Sequence, residues 1–246
     1  MSPSDITVPA ATVTGREGTR RVPLGLTLAY TAFMAVLVPV YLAFYGPTNF
    51  LYFCDVALIL TLVGLWTKNA LLISICAVGI LAPQLLWVVD FAAQAAGFPL
   101  TGMTAYMFNP ETSAFLRGLS LFHGWLPFLL VFLVWRLGYD RRAWAAWSAL
   151  AVVLLFVCFF LMPPPRPDPG LTPVNINYVW GMSDTAAQTM MPAWAWFASL
   201  VIAVPLLIAW PTHHLLIRLM PRAAISSPVP ASVTSPAAWR DGSAPR

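Results

Sequence analysis

Cys54 and His123 are the residues whose types best suit covalent chemistry in this chain. Each falls inside a long apolar stretch, where polar and ionisable side chains are costly and therefore informative. A thiol with a pKa of about 8.5 becomes a nucleophile when a neighbouring base takes its proton. Histidine is the side chain best matched to that task. Cys54 belongs to the run Asn49-Phe50-Leu51-Tyr52-Phe53-Cys54-Asp55, and His123 to Arg117-Gly118-Leu119-Ser120-Leu121-Phe122-His123-Gly124-Trp125. At 1.5 Å rise per residue both sit roughly 7–9 Å below the same edge of their stretches. Thiol and imidazole at one depth meet if the two helices are neighbours, and that is the expected packing. Asp55 follows Cys54 about 100° round the helix, so the two do not share a face. Asp55 or Asp90 is placed to orient His123 from another helix. The plainer reading makes Cys54 a small apolar filler and His123 a structural hydrogen-bonding residue.

Arg117, Ser120 and His123 follow one another at spacings of three, which makes a ridge on one helix face. Arg117 is expected to snorkel to the interface, to reach a lipid phosphate, or to pair with Asp90 or Glu111. The stretch Asn175-Ile176-Asn177-Tyr178 supplies amides and a phenol that suit a lipid headgroup or a developing oxyanion; its plainer reading is a turn. The candidate catalytic residues are thus Cys54 and His123, and the candidate substrate-binding residues are Asp55, Asp90, Arg117, Ser120, Asn177 and Tyr178. A Cys54–Cys158 disulfide is the competing arrangement that removes the nucleophile. Cys76 is expected to pack, and His213 and His214 to be structural. No zinc spacing, phosphate loop or dinucleotide fingerprint occurs, so neither metal nor cofactor is expected.

The elements that must position these residues are apolar helices. The chain has 246 residues, of which 59% are hydrophobic and 9% charged, against roughly 25% charged in a soluble domain. A spanning helix needs roughly 20 mostly apolar residues, and six stretches approach that length: 24–45, 49–66, 70–89, 117–136, 143–162 and 194–217. The fold class expected is all-α, a bundle of six transmembrane helices. Arg16, Arg20, Arg21, Lys68, Arg136, Arg141, Arg142, Arg218 and Arg222 fall on one side of six crossings, with Arg117 and Arg166 on the other. Basic residues are retained in cytoplasmic loops, so both termini are expected in the cytoplasm and the chain in the cell inner (plasma) membrane. The net charge of +4 follows from that topology, and no nucleic-acid partner is implied. Residues 1–19 and 221–246, rich in Pro, Ser, Ala and Thr, are expected as disordered tails around a transmembrane domain at 20–220. The 91–116 and 163–193 connections exceed about 12–15 residues, a length more often functional than merely connecting. Trp87, Trp125, Trp135, Trp144 and Trp194 read as aromatic-belt residues.

The order of motifs resembles a family. Cys54 opens span two, a Pro-containing span three follows, and Phe122-His123-Gly124 lies in span four. Then come the basic loop Leu137-Gly138-Tyr139-Asp140-Arg141-Arg142, Asn177-Tyr178 before span six, and a Trp-rich span six. The chain is similar in this to the YwaF-type bacterial integral membrane proteins. These in turn resemble a eukaryotic transmembrane acyltransferase of ether phospholipids and, more distantly, the androgen-induced threonine–histidine lipid hydrolases. The resemblance covers about residues 24–217 and implies a six-helix fold, with Cys54 as acyl-accepting nucleophile and His123 as its base.

Two functions therefore stand side by side. In the first, the chain is a lipid acyltransferase or esterase whose Cys–His pair lies near the outer face and whose partners are membrane lipids. In the second, it is a non-catalytic membrane binding, transport or assembly protein whose polar residues tie helices together.

Overall fold

The computed structural model describes residues 22–98 and 100–223. The expected N-terminal tail with Arg16, Arg20 and Arg21, and all of the expected C-terminal tail beyond residue 223, lie outside the described residues. The described chain is all-α, and its sole extended pairing is one isolated bridge between Tyr139 and Arg222.

Helix α1, Leu24–Phe44, ends where Gly46, at a φ of 81°, takes a conformation that favours glycine. A 3₁₀ turn at Pro47–Leu51 leads into α2, Phe53–Thr67. Lys68, in the left-handed region, ends α2, and Asn69 caps α3, Ala70–Ala95, by accepting from the amides of Leu71 and Leu72. Next come α4, Ala114–Ser120, and α5, Phe122–Leu137, which meet at a break at Leu121. Pro127 has no N–H to close on the carbonyl of His123, which loosens the first turn of α5. Helix α6 spans Ala143–Leu161. The last stretch runs as α7, Ala193–Ala203, a π-helical segment at Val204–Ala209, and α8, Trp210–Leu219. Pro205 removes a donor from that ladder, and the wider π turn absorbs the loss.

Five of these stretches are long and apolar enough to cross a membrane: Leu24–Phe44, Ala70–Ala95, Ala114–Leu137, Ala143–Leu161 and Ala193–Leu219. The sixth expected span, α2, is apolar but has 15 residues, about 22 Å of helix against a hydrocarbon core of ~30 Å. The large apolar residues facing outward, among them Val36, Ile59, Phe128, Val153, Phe160 and Leu207, form surface that water disfavours and lipid accepts.

Helix α3 is the hub, packing extensively against α2, α5, α6 and α8. Its middle carries small residues, Ser74, Ala77 and Gly79, that let neighbours approach closely. A Cβ at Gly79 would collide with the ring of the fully buried Trp147. This hub corrects the expectation that spans two and four are neighbours: α2 and α5 share no extensive contact, and each packs on α3 instead. Trp87 is likewise not a belt residue. It is 6% exposed and faces the interior.

Candidate functional site

Asp55 is the third residue of α2, where the helix dipole favours an acidic side chain. It is nevertheless 3% exposed. Its Oδ2 accepts from the Asn49 amide at 3.2 Å and from the Cys54 thiol at 3.8 Å, while its Oδ1 is buried with no partner. The 100° between Cys54 and Asp55 describes where the side chains leave the helix; they still converge at their tips. Around them stand tyrosines. Tyr41, Tyr45 and Tyr52 lie within electrostatic reach of Asp55, and Tyr106 and Tyr178 within reach of Cys54. Burial pushes the phenols of Tyr106 and Tyr178 above their ordinary value, so both are neutral hydroxyls at neutral pH.

The 163–192 connection closes over this turn. Asn175, Asn177 and Tyr178 have φ of 49°, 58° and 60°, a left-handed run of non-glycine residues in which asparagine is the most tolerant type. That backbone turns Asn177 toward α2. Its Oδ1 accepts from Phe53 N–H at 3.0 Å, and its Nδ2 donates to Leu51 C=O at 2.9 Å and to Cys158 Sγ at 3.4 Å. Asn177 is thus a cap for α2 supplied from a distant loop. Asn175 folds the loop on itself through Gly181, Ser183 and Trp180. Tyr178 C=O accepts from the Trp196 indole at 2.9 Å. Cys158 is a free thiol, as are Cys54 and Cys76, so the disulfide alternative does not occur. Cys76 packs and donates to Ala57 C=O.

His123 occupies different surroundings. Its Nδ1 lies 2.8 Å from Ser120 C=O. A carbonyl only accepts, so Nδ1 carries the proton of the neutral ring and Nε2 is left as the basic lone pair. The ring stacks between Phe122 and Trp87, at centroid distances of 4.0 and 5.0 Å, and the column continues through Phe91 to Phe108. Ser120 Oγ is 3.1 Å from Tyr41 Oη, tying α4 to α1, and Tyr106 stands beside Ser120 and Trp87. No hydrogen bond joins Cys54 to His123; their hydrogen-bond partners are Asp55 and Ser120 respectively.

Asp90 is not the orienting carboxylate for His123. The helix continues past it, and it accepts from Thr101 N–H at 2.6 Å, Thr104 N–H at 3.0 Å and Thr104 Oγ1 at 2.6 Å, fixing the start of the 96–113 connection. Arg117 is half-buried and donates to Met107 C=O at 3.2 Å rather than pairing with Asp90 or Glu111. Among the described residues the ion pair is Arg142–Asp140, at 2.7 Å. The structure therefore gathers Asp55, Cys54, Asn177 and Tyr178 on one side and Ser120, His123 and Arg117 on the other, with Tyr41 and Tyr106 reaching both groups and Tyr178 within electrostatic reach of Asp90.

Sequence reasoning overlooked Asn49, Tyr41, Tyr106 and Trp87. Only Trp87 carried a local signal, through its spacing of four from Phe91. Among the described residues no group of three His, Cys, Asp or Glu side chains is placed to hold a metal ion. Two surface cavities, of about 430 and 300 Å³, are lined by residues such as Met182, Gln188 and Trp196 and by Thr27, Leu65 and Trp66; the first adjoins the 163–192 connection, where Trp196 bonds Tyr178 C=O.

Fold and site together define a class: a multi-pass, all-helical membrane protein with polar side chains gathered partly buried toward one end of its bundle. No protein-family model matches the sequence, and no curated protein or solved structure matches it either.

Proposed function

We propose that this chain is a six-span protein of the cell inner membrane, with both termini cytoplasmic, whose role is non-catalytic binding of membrane lipids. The observation that carries this reading is that the Cys54 thiol and the His123 imidazole are bonded to different partners, their surroundings meeting through Tyr41 and Tyr106. Cys54 bonds to Asp55 and His123 Nδ1 to Ser120, with no hydrogen bond between thiol and imidazole. A nucleophile and its base need hydrogen-bond reach of one another, about 2.6–3.2 Å for oxygen and nitrogen and longer for sulfur. The polar side chains of this end act as ties between helices and loops, the usual work of such groups in lipid. Arg117, half-buried beside the 96–113 connection, is the cation that meets a lipid phosphate. Purified protein should retain anionic phospholipid in native mass spectrometry, and Arg117→Ala should reduce the bound fraction several-fold. Equal retention by both would sink the assignment.

A second reading is favoured by the tautomer of His123. With Nδ1–H held by Ser120 C=O, Nε2 is a poised base. In that reading, and in keeping with the resemblance to YwaF-type proteins, Cys54 attacks a lipid acyl carbonyl and its proton passes by way of His123 to the departing lipid alcohol. The outcome is a thioester at Cys54. Incubation with phospholipid should then add a hydroxylamine-labile acyl mass at Cys54 that His123→Ala abolishes. The non-catalytic reading expects no such mass, and unchanged cellular lipids in a Cys54→Ala strain.

A further inference from the structure

We infer that Asp55 is a proton-binding site, holding a neutral carboxylic acid within the bundle at neutral pH. The inference goes beyond the lipid-binding reading and does not depend on it. Asp55 is 3% exposed, and its Oδ1 is sealed from solvent with no donor. Its Oδ2 meets only neutral donors, the Asn49 amide and the Cys54 thiol. A carboxylate in such a place lacks both water and a counter-charge, and the ordinary escape from that penalty is to take up a proton.

The groups within hydrogen-bond or electrostatic reach of it agree. Helix α1 presents Tyr30, Tyr41 and Tyr45, the turn before α2 presents Asn49 and Tyr52, and α2 itself presents Cys54. The 163–192 connection contributes Asn177, which caps the same helical turn, and Tyr178, which reaches Cys54. All of these are neutral, and none is a lysine, arginine or histidine. Other ligands fit poorly. A metal ion lacks its donor set, since no three ligating side chains gather among the described residues, and an atom sealed from solvent leaves no room for a headgroup. A proton needs neither.

Asn49 makes the protonated state geometrically simple. In the ionised state its Nδ2 donates to Oδ2 across 3.2 Å. In the neutral state a half-turn of the amide presents Asn49 Oδ1 instead, and the acid donates along the same contact. One asparagine therefore serves both states, which a lysine or arginine does not.

The test is infrared spectroscopy of the purified full chain, reading the C=O stretch of a protonated carboxylic acid at neutral pH. The band should be present in the wild type, absent in Asp55→Asn, and retained in Asp90→Asn, whose carboxylate has three donors. A band that survives Asp55→Asn unchanged, or no band in the wild type, overturns the proposal. If Asp55→Asn does not fold, Asp55→Glu should shift the band, because the acid is kept and its surroundings change; an unshifted band overturns it equally. The measurement involves no lipid, so its failure leaves the lipid-binding reading standing, and loss of lipid retention leaves this one.

Discussion

The two ends of the bundle hold their loops by opposite means. At the end carrying Tyr139, the turn between α5 and α6 is tied down by complete partnerships. Tyr139 Oη lies 2.7 Å from His213 Nδ1, its N–H donates to Pro221 C=O at 2.6 Å, and its C=O accepts from Ala223. Asp140 N–H donates to Ser74 Oγ at 3.0 Å, and the Asp140 carboxylate takes Arg142. At the end carrying Cys54, the 163–192 connection is anchored through a left-handed asparagine, and the carboxylate beneath it keeps an orphaned oxygen. Both ends use a tyrosine or an asparagine as a tie. The Tyr139 end has a single left-handed non-glycine residue, the helix cap Lys68, whereas the Cys54 end puts three in one loop and adds an unsatisfied buried acid. A buried acid with an orphaned oxygen beneath a left-handed loop is the kind of outlier from which a functional hypothesis is drawn, and it sits at the Cys54 end.

The largest effect that breaks this comparison is expected at Asn177. Asn177→Ala strips a cap from Phe53 N–H and a donor from Leu51 C=O while keeping an unfavourable φ of 58°. Two part-buried backbone groups left unpaired, with the strain, should cost about 2–3 kcal/mol. Thermal unfolding in detergent should show it as a clear fall in Tm. Asn177→Gly removes the same bonds but tolerates the backbone, so it should recover roughly 1 kcal/mol of the loss. Equal Tm values for the two variants would show that the left-handed conformation carries no cost here.

Next in size is Gly79→Ala, which acts on the hub common to both ends. The added Cβ meets the Trp147 ring, an aromatic with no exposed surface to retreat to. Overpacking of this kind costs about 1–3 kcal/mol. It should lower Tm without altering lipid retention, which separates core damage from damage at the Cys54 end. Tyr139→Phe follows. It deletes one hydroxyl from a buried pair with His213, and interhelical hydrogen bonds in membranes average about 0.6 kcal/mol. A fall in Tm as large as that of Asn177→Ala would refute the ranking of the two ends.

Much of the frame was legible in the sequence. Helices α1 and α6 begin and end within a residue or so of their expected bounds, because Gly46-Pro47 and Pro163-Pro164 are unambiguous stops beside purely apolar runs. Helix α3 was read as too short. A carboxylate suggested its end, whereas Asp90 is carried inside the helix and satisfied by Thr101 and Thr104 from beyond it. The π segment at Val204–Ala209 compensates the donor that Pro205 lacks, but the position of such a distortion depends on neighbours. The site was half legible. Cys54, Asp55, His123, Ser120 and Asn177 stood out as polar residues in apolar surroundings. Their partners did not, because Tyr41 reaches Ser120 across 79 positions and Asn177 reaches Phe53 across 124. Local spacing holds no record of such pairings, and the hub role of α3 is likewise a tertiary fact.

The smallest effect sharpens the comparison from the Tyr139 end. Asp140 lies in a loop, and its carboxyl sits below the ordinary aspartate range because the Arg142 side chain hydrogen-bonds it, with the Arg142 backbone N–H adding to the effect. A carboxyl whose folded pKa is depressed adds stability at pH values above its unfolded pKa, about 3.9. That contribution is lost as pH falls through the folded value. Arg142 is open to solvent, so the pair is screened and its contribution small. Asp140→Asn should therefore lower Tm slightly at pH 7, flatten the acid limb of the stability curve below about pH 4, and lose even this difference in high salt. The pair is complete, open to solvent on its arginine side and dispensable, which is the opposite of Asp55. If Asp140→Asn lowered Tm at pH 7 as far as Asn177→Ala, and did so in high salt, the Tyr139 end would hold a structural charge of its own and the contrast between the two ends would fail.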